Sequence, residues 1–126
     1  MLDSVIHLMT FSDVHKSWTV EQVNRCITPP INLQQCAGIV EGGNLVAWVS
    51  WAFMDDNTGD KFLDGLYSMK PDSWSSGERL ILMDFIAPFG HTKKLVKIVR
   101  RLFPKQTKAE WRRHLKQRRF GVACNV

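Results

Sequence analysis

The run RLILMDFIA, residues 79–87, limits what this chain can fold into more than any other stretch. Its apolar, β-favouring residues end at Pro88, and a segment of that composition reads as a buried strand. Asp84 interrupts it. A buried carboxylate is costly unless something pairs with it or hydrogen-bonds it, so the fold must bring a partner to Asp84 from elsewhere. The plain alternative is a carboxylate bonded to backbone or capping a turn; the functional one follows because perturbed carboxylates concentrate in active sites.

At 126 residues the chain reads as a single domain spanning 1–126, large enough to bury a core. No apolar run approaches the length of a membrane span. The opening MLDSVIHLMTFSDVHKSW has neither a basic n-region nor a cleavable apolar segment, so no signal peptide is expected. Cys26, Cys36 and Cys124 are odd in number and scattered, which argues against a disulfide framework and points to a reducing cytoplasm. Charge is divided unevenly. Residues 1–90 hold 5 basic against 11 acidic side chains, a net of −6, whereas residues 91–126 hold 12 basic side chains and Glu110 alone, a net of +11. The last third is where an acidic partner would bind, although a solvated helical face explains any single cation equally well.

Periodicity predicts a short helix over 3–11 and a connection SDVHKSW. A second helix opens on the capping-box pair Thr19 and Gln22 and stops before Pro29 and Pro30. QQCAGIV and LVAWVSWAFM read as strands joined at EGGN, where Gly42 and Gly43 tolerate a tight turn. DDNTGD and KPDSWSSGE read as loops, and KFLDGLYSM is short helix or strand. From Thr92, taken as an N-cap, Leu95, Ile98, Val99, Leu102 and Phe103 recur at helical spacing, with Lys93, Lys94, Lys97, Arg100 and Arg101 on the other face. Pro104 ends that helix. TKAEWRRHLKQRR, with Thr107 and Glu110 at capping-box spacing, predicts a second basic helix closed near Gly121, and VACN a last short strand. The order is α+β around a mainly antiparallel sheet.

Of the four histidines, His91 and His114 read as surface residues and His7 as facing the core. His15 lies in a polar connection, exposed enough to react and within reach of Ser12 and Trp18. A histidine paired with a buried aspartate is a general-base unit, because the carboxylate fixes the imidazole tautomer and stabilises the imidazolium. No His/Cys/Asp cluster has metal-ligand spacing, and neither phosphate-loop glycine patterns nor a GxSxG elbow occur.

SDVHKSW, VSWAFM, FLDGL, DSWSSGER and MDFIAPFG, in that order, resemble the signature blocks of the toxin-activating lysine-acyltransferases that act on RTX pore-forming toxins. The resemblance covers roughly residues 5–104. It implies a GNAT-like fold with helices flanking the sheet, and transfer of a fatty acyl group from acyl-carrier protein to the ε-amine of an internal lysine of a protoxin. It implies that His15 is the catalytic histidine, Asp84 the catalytic aspartate and Ser12 a serine of the site. No bound cofactor is implied, since the acyl-carrier thioester is a substrate, and a homodimer is the family precedent. The chemistry fits: a lysine ammonium must lose a proton before attacking a thioester, His15 could accept it, and nearby backbone N–H groups could hold the oxyanion. An acyl-histidine intermediate is a second route. Lys93, Lys94, Lys97, Arg100 and Arg101 then form a docking face for an acidic acyl carrier. Two features depart from the family pattern: Cys26 stands where an asparagine is usual, and the C-terminal part is short.

Another class accounts for the charge alone: a non-catalytic protein using WRRHLKQRR to bind nucleic acid or an acidic protein. It leaves Asp84 unexplained. A coenzyme A acetyltransferase is a third reading, against which stands the missing [RQ]-x-x-G-x-[GA] loop.

Overall fold

A computed structural model describes residues 1–106, 108–113 and 118–122. Five strands form one sheet in sequence order: β1 Cys36–Glu41, β2 Asn44–Met54, β3 Arg79–Ile86, β4 Ala109–Arg113 and β5 Arg118–Val122. Three of the four pairings are antiparallel, and β3–β4 is parallel. The hairpin between β1 and β2 turns at Gly42 and Gly43, whose φ of 58° and 80° suit a primed two-residue turn.

The sheet carries helices on both faces. On one, α5 (Thr92–Leu102) buries Leu95 and Val99 against Val49, Trp51, Leu80 and Leu82. On the other, α1 (Leu2–Met9) seats Val5, Leu8 and Met9 on Trp48 and Ile86, joined by Ile27, the residue that follows α2 (Val20–Cys26). Further along that face, Leu63, Met69 and Trp74 cover Ala52, Met54, Ile81 and Met83. The α+β expectation with a mainly antiparallel sheet flanked by helices holds, and the arrangement is compatible with a GNAT-like fold.

Several local expectations hold. Thr19 caps α2 through the reciprocal bonds with Gln22. Pro29 and Pro30 do end α2, but they then open α3 (Thr28–Asn32), sitting in the first turn where a missing N–H costs nothing. The expectation for α5 is off by one residue: its N-cap is His91 and not Thr92, which is the first helical residue.

Two further expectations are corrected. DDNTGD is no loop: Asp55 caps α4 (Asp56–Leu63) by accepting from the Thr58 N–H at 2.7 Å. Gly59, a poor helix former, packs against the Arg79 side chain, which a Cβ would meet at a tight 3.3 Å. Arg79 uses that space to bond Asp60 at 2.9 Å and Glu110 at 2.7 and 3.1 Å, tying α4, β3 and β4 together. The second basic helix is also absent. Ala109–Arg113 is strand β4, held in parallel register on Ile81 and Leu82, and Glu110 spends its carboxylate on Arg79 rather than on a helix cap. Gly121 lies in β5 opposite Glu110. Thr107, His114 and residues 123–126, with most of VACN, fall outside the described residues.

Candidate functional site

The connection after α1 is a chain of turns rather than an open loop. The Ser12 N–H donates to the Met9 carbonyl, and the Ser12 carbonyl accepts from both His15 and Lys16. Those turns set Ser12 and His15 one turn apart with their side chains meeting. Ser12 Oγ lies 2.7 Å from His15 Nδ1, and His15 Nε2 lies 2.8 Å from Asp84 Oδ1. Trp18 covers the imidazole at a centroid distance of 4.6 Å. His15 is only 4% exposed and Asp84 3%. The expectation of an exposed histidine is therefore corrected: Trp18 and the sheet close over it, and Ser12, half-buried, stands between it and solvent.

A β-bulge aims Asp84. Val49 pairs with Phe85 and Trp51 with Leu82, so Ser50 of β2 faces two residues of β3, Met83 and Asp84. Strict alternation from Leu82 would return Asp84 to the face that α5 covers. The extra residue turns it instead towards α1 and His15, a re-aiming that bulges commonly perform beside functional sites. Ser50 repairs the interrupted ladder, its buried Oγ accepting from the Asp84 N–H at 3.2 Å. Ser50 escaped the sequence reading, although a lone serine in LVAWVSWAFM was a signal of the same kind as Asp84.

With Asp84 as a carboxylate, Nε2 must carry the ring proton and donate it, which leaves Nδ1 to accept from the Ser12 hydroxyl. The three groups form a directed chain from Ser12 to Asp84, able to take a proton at Oγ and hold the positive charge at the buried end. Ser12 opens onto a cleft of about 310 Å³, walled by Phe11, Ser12 and Asp13 on one side and Phe85, Ile86, Ala87 and Pro88 on the other. Its accessible lining is polar. The pairing of β3 with β4 covers only Ile81 and Leu82, so beyond Leu82 that edge of β3 has no strand partner among the described residues.

Cys26 is close enough to feel the site. Burial pushes its thiol from 9.0 up to about 11, the negative charge of Asp84 pushes the same way, and Arg25 opposes both. His7 is exposed, contrary to expectation, and packs edge-on against Phe11. His91 is mostly covered, bonded to Glu41 at 3.1 Å. The cations Lys93, Lys94, Lys97, Arg100 and Arg101 all lie on α5, on the opposite face of the sheet from His15, and none lines the cleft. Lys94 leans towards Glu41 at 3.7 Å. Among the described residues no group of three or more His, Cys, Asp and Glu is placed to hold a metal ion, and no helix is long and apolar enough to cross a membrane.

The sheet order, with a polar cleft at the open end of β3, is of a kind compatible with a GNAT-like acyltransferase. Comparison with known proteins makes the class specific: residues 1–122 match the family described as RTX toxin acyltransferases. A leukotoxin-activating lysine-acyltransferase of Mannheimia haemolytica is 31% identical over 121 residues, 96% of this chain and 72% of its own length. A protein-lysine myristoyltransferase of Kingella kingae is 35% identical over 102 residues, 81% of this chain and 61% of its own. A lysine-acyltransferase of Vibrio cholerae is 32% identical over 102 residues, 80% and 67% of the two chains. The chain belongs to the RTX toxin acyltransferase family. It spans between about three-fifths and 72% of the length of these relatives.

Proposed function

We propose that this chain is a protein-lysine fatty acyltransferase, taking an acyl group from acyl-carrier protein and delivering it to a lysine ε-amine of a protein substrate, an RTX protoxin, in the cytoplasm. The observation that carries the reading is the hydrogen-bonded chain Ser12–His15–Asp84 at the edge of the cleft. The substrate class rests on the relatives, which are by name lysine-acyltransferases, several of them toxin- or leukotoxin-activating.

The buried ring directs the proton path. Nδ1 already faces Ser12 Oγ, so a lysine in the cleft meets the hydroxyl first. Once the lysine has given its ammonium proton to solvent, the amine nitrogen bonds to the thioester carbon, and its next proton passes to Oγ while the Ser12 proton passes to Nδ1. Asp84 balances the imidazolium that results. The C–S bond then breaks, and the departing thiolate recovers a proton from His15 along the same path, so the products are an amide and a free thiol. Backbone N–H groups beyond Leu82, where that edge of β3 has no strand partner among the described residues, are the candidates to hold the oxyanion. The same geometry favours Ser12 over His15 as the atom that would carry an acyl group if the reaction runs in two steps, because the imidazole is covered.

The test is mass spectrometry of a lysine-bearing protoxin domain after incubation with acyl-carrier thioester. His15→Ala and Asp84→Ala are each expected to lower the labelling rate by about 10²–10⁴-fold. Equal labelling by the parent chain and both variants would overturn the reading, whereas an acyl adduct on Ser12 without acceptor would establish the two-step route.

A further inference from the structure

Two large aromatic side chains stand in solvent at the mouth of the cleft. Phe11 is 52% exposed and Phe89 50%. Their ring centroids are 5.2 Å apart at an angle of 59°, and His7 meets Phe11 edge-on at 5.5 Å. Phe11 precedes Ser12 and lines one wall, and Phe89 follows Pro88 of the other. The pair therefore bridges the two walls, linking the end of α1 to the segment that leaves β3. Neither ring belongs to any of the three buried clusters. Aromatic area left in water beside a reacting centre is a place where an apolar ligand gains by binding.

Resting on the function proposed above, we infer that Phe11 and Phe89 form the acyl-chain subsite: the hydrocarbon of the thioester donor lies across the two rings, with its carbonyl carbon in the cleft beside Ser12 Oγ. The accessible lining of the cleft is polar, which suits the thioester and the amine. The rings offer exposed aromatic surface beside it, one residue from Ser12 in one direction and next to Pro88 of the β3 wall in the other. One relative is by name a myristoyltransferase, whose acyl group is a long saturated chain.

Direct binding tests the subsite apart from the reaction. The parent chain, titrated with S-myristoyl-pantetheine and S-butyryl-pantetheine below their micellar concentrations, is expected to prefer the longer chain. In a Phe11→Ala/Phe89→Ala double variant that preference is expected to shrink about tenfold or more, with butyryl binding little changed. Phe89→Ala alone should take a smaller share of the loss, and it serves as the second variant should the double one lose its cooperative melting. An unchanged myristoyl-to-butyryl ratio in a folded variant overturns the inference, and so does a parent chain with no chain-length preference. Failure of lysine labelling with the binding preference intact would count against the reaction and not against the subsite.

Discussion

Cys26 offers the most direct reading of the electrostatics around Asp84. Its thiol is pushed from 9.0 to about 11 by burial first and by the Asp84 charge second, so at neutral pH it holds roughly a hundredth of the thiolate that an ordinary cysteine would. Iodoacetamide at pH 8, followed by peptide mapping, is expected to modify Cys26 some ten- to a hundredfold more slowly in the folded chain than in the unfolded one. Equal rates would show that the thiol is not held in this environment. The sign for stability follows from the raised value. The unfolded thiol loses its proton near pH 9 and the folded one only near 11, so this contribution is whole below pH 9 and is lost as pH rises towards 11. A urea midpoint that falls across that window checks it. At this scale the burial of Asp84 was legible, because RLILMDFIA announces a dry strand. The burial of His15 was not: a polar neighbourhood in sequence says nothing of Asp84, 69 positions away, closing on the ring from the sheet side.

The bulge in β3 is the element on which the site turns, and Ser50 is its keystone. Ser50→Ala removes the acceptor of the Asp84 N–H at a buried position, which is expected to cost about 1–3 kcal/mol of stability. Because the same bond holds the carboxylate in its direction, lysine labelling at a temperature where the variant is fully folded should fall as well. A variant that loses stability but labels at the parent rate would separate the bulge from the chemistry. The strands of the hairpin, β3 and α5 were legible as elements because each carries its pattern within its own residues. Helix α4 was hidden because its composition is that of a loop; Gly59 lies against the Arg79 side chain, a non-local contact that the segment's own residues do not record. The mistaken C-terminal helix has the same origin. The local capping-box spacing of Thr107 and Glu110 lost to a strand pairing with Ile81 and Leu82 and to the bond between Glu110 and Arg79.

Over the whole molecule, the chain divides its charge, with the acidic excess before residue 91 and the basic excess after it. Lys97 and Arg101 are exposed, one turn apart on α5. In the proposed reaction Lys97→Glu with Arg101→Glu should weaken association with acyl-carrier protein about tenfold or more at low salt, and the difference should shrink as salt screens the exposed charges. Calorimetric titration at two ionic strengths measures both, and an unchanged affinity at low salt would remove α5 from the docking face. The sequence by itself determined the α+β class, the strand that must be buried, the charged face of α5 and the family, because these depend on local pattern and on residues kept in order. Only the tertiary structure decided that His15 is covered, that Ser12 is the group presented to the cleft, and that the basic tail carries strands. Each of those depends on contacts between residues far apart in the chain, His15 and Asp84 being separated by 69 positions, and no local periodicity records which distant groups will meet.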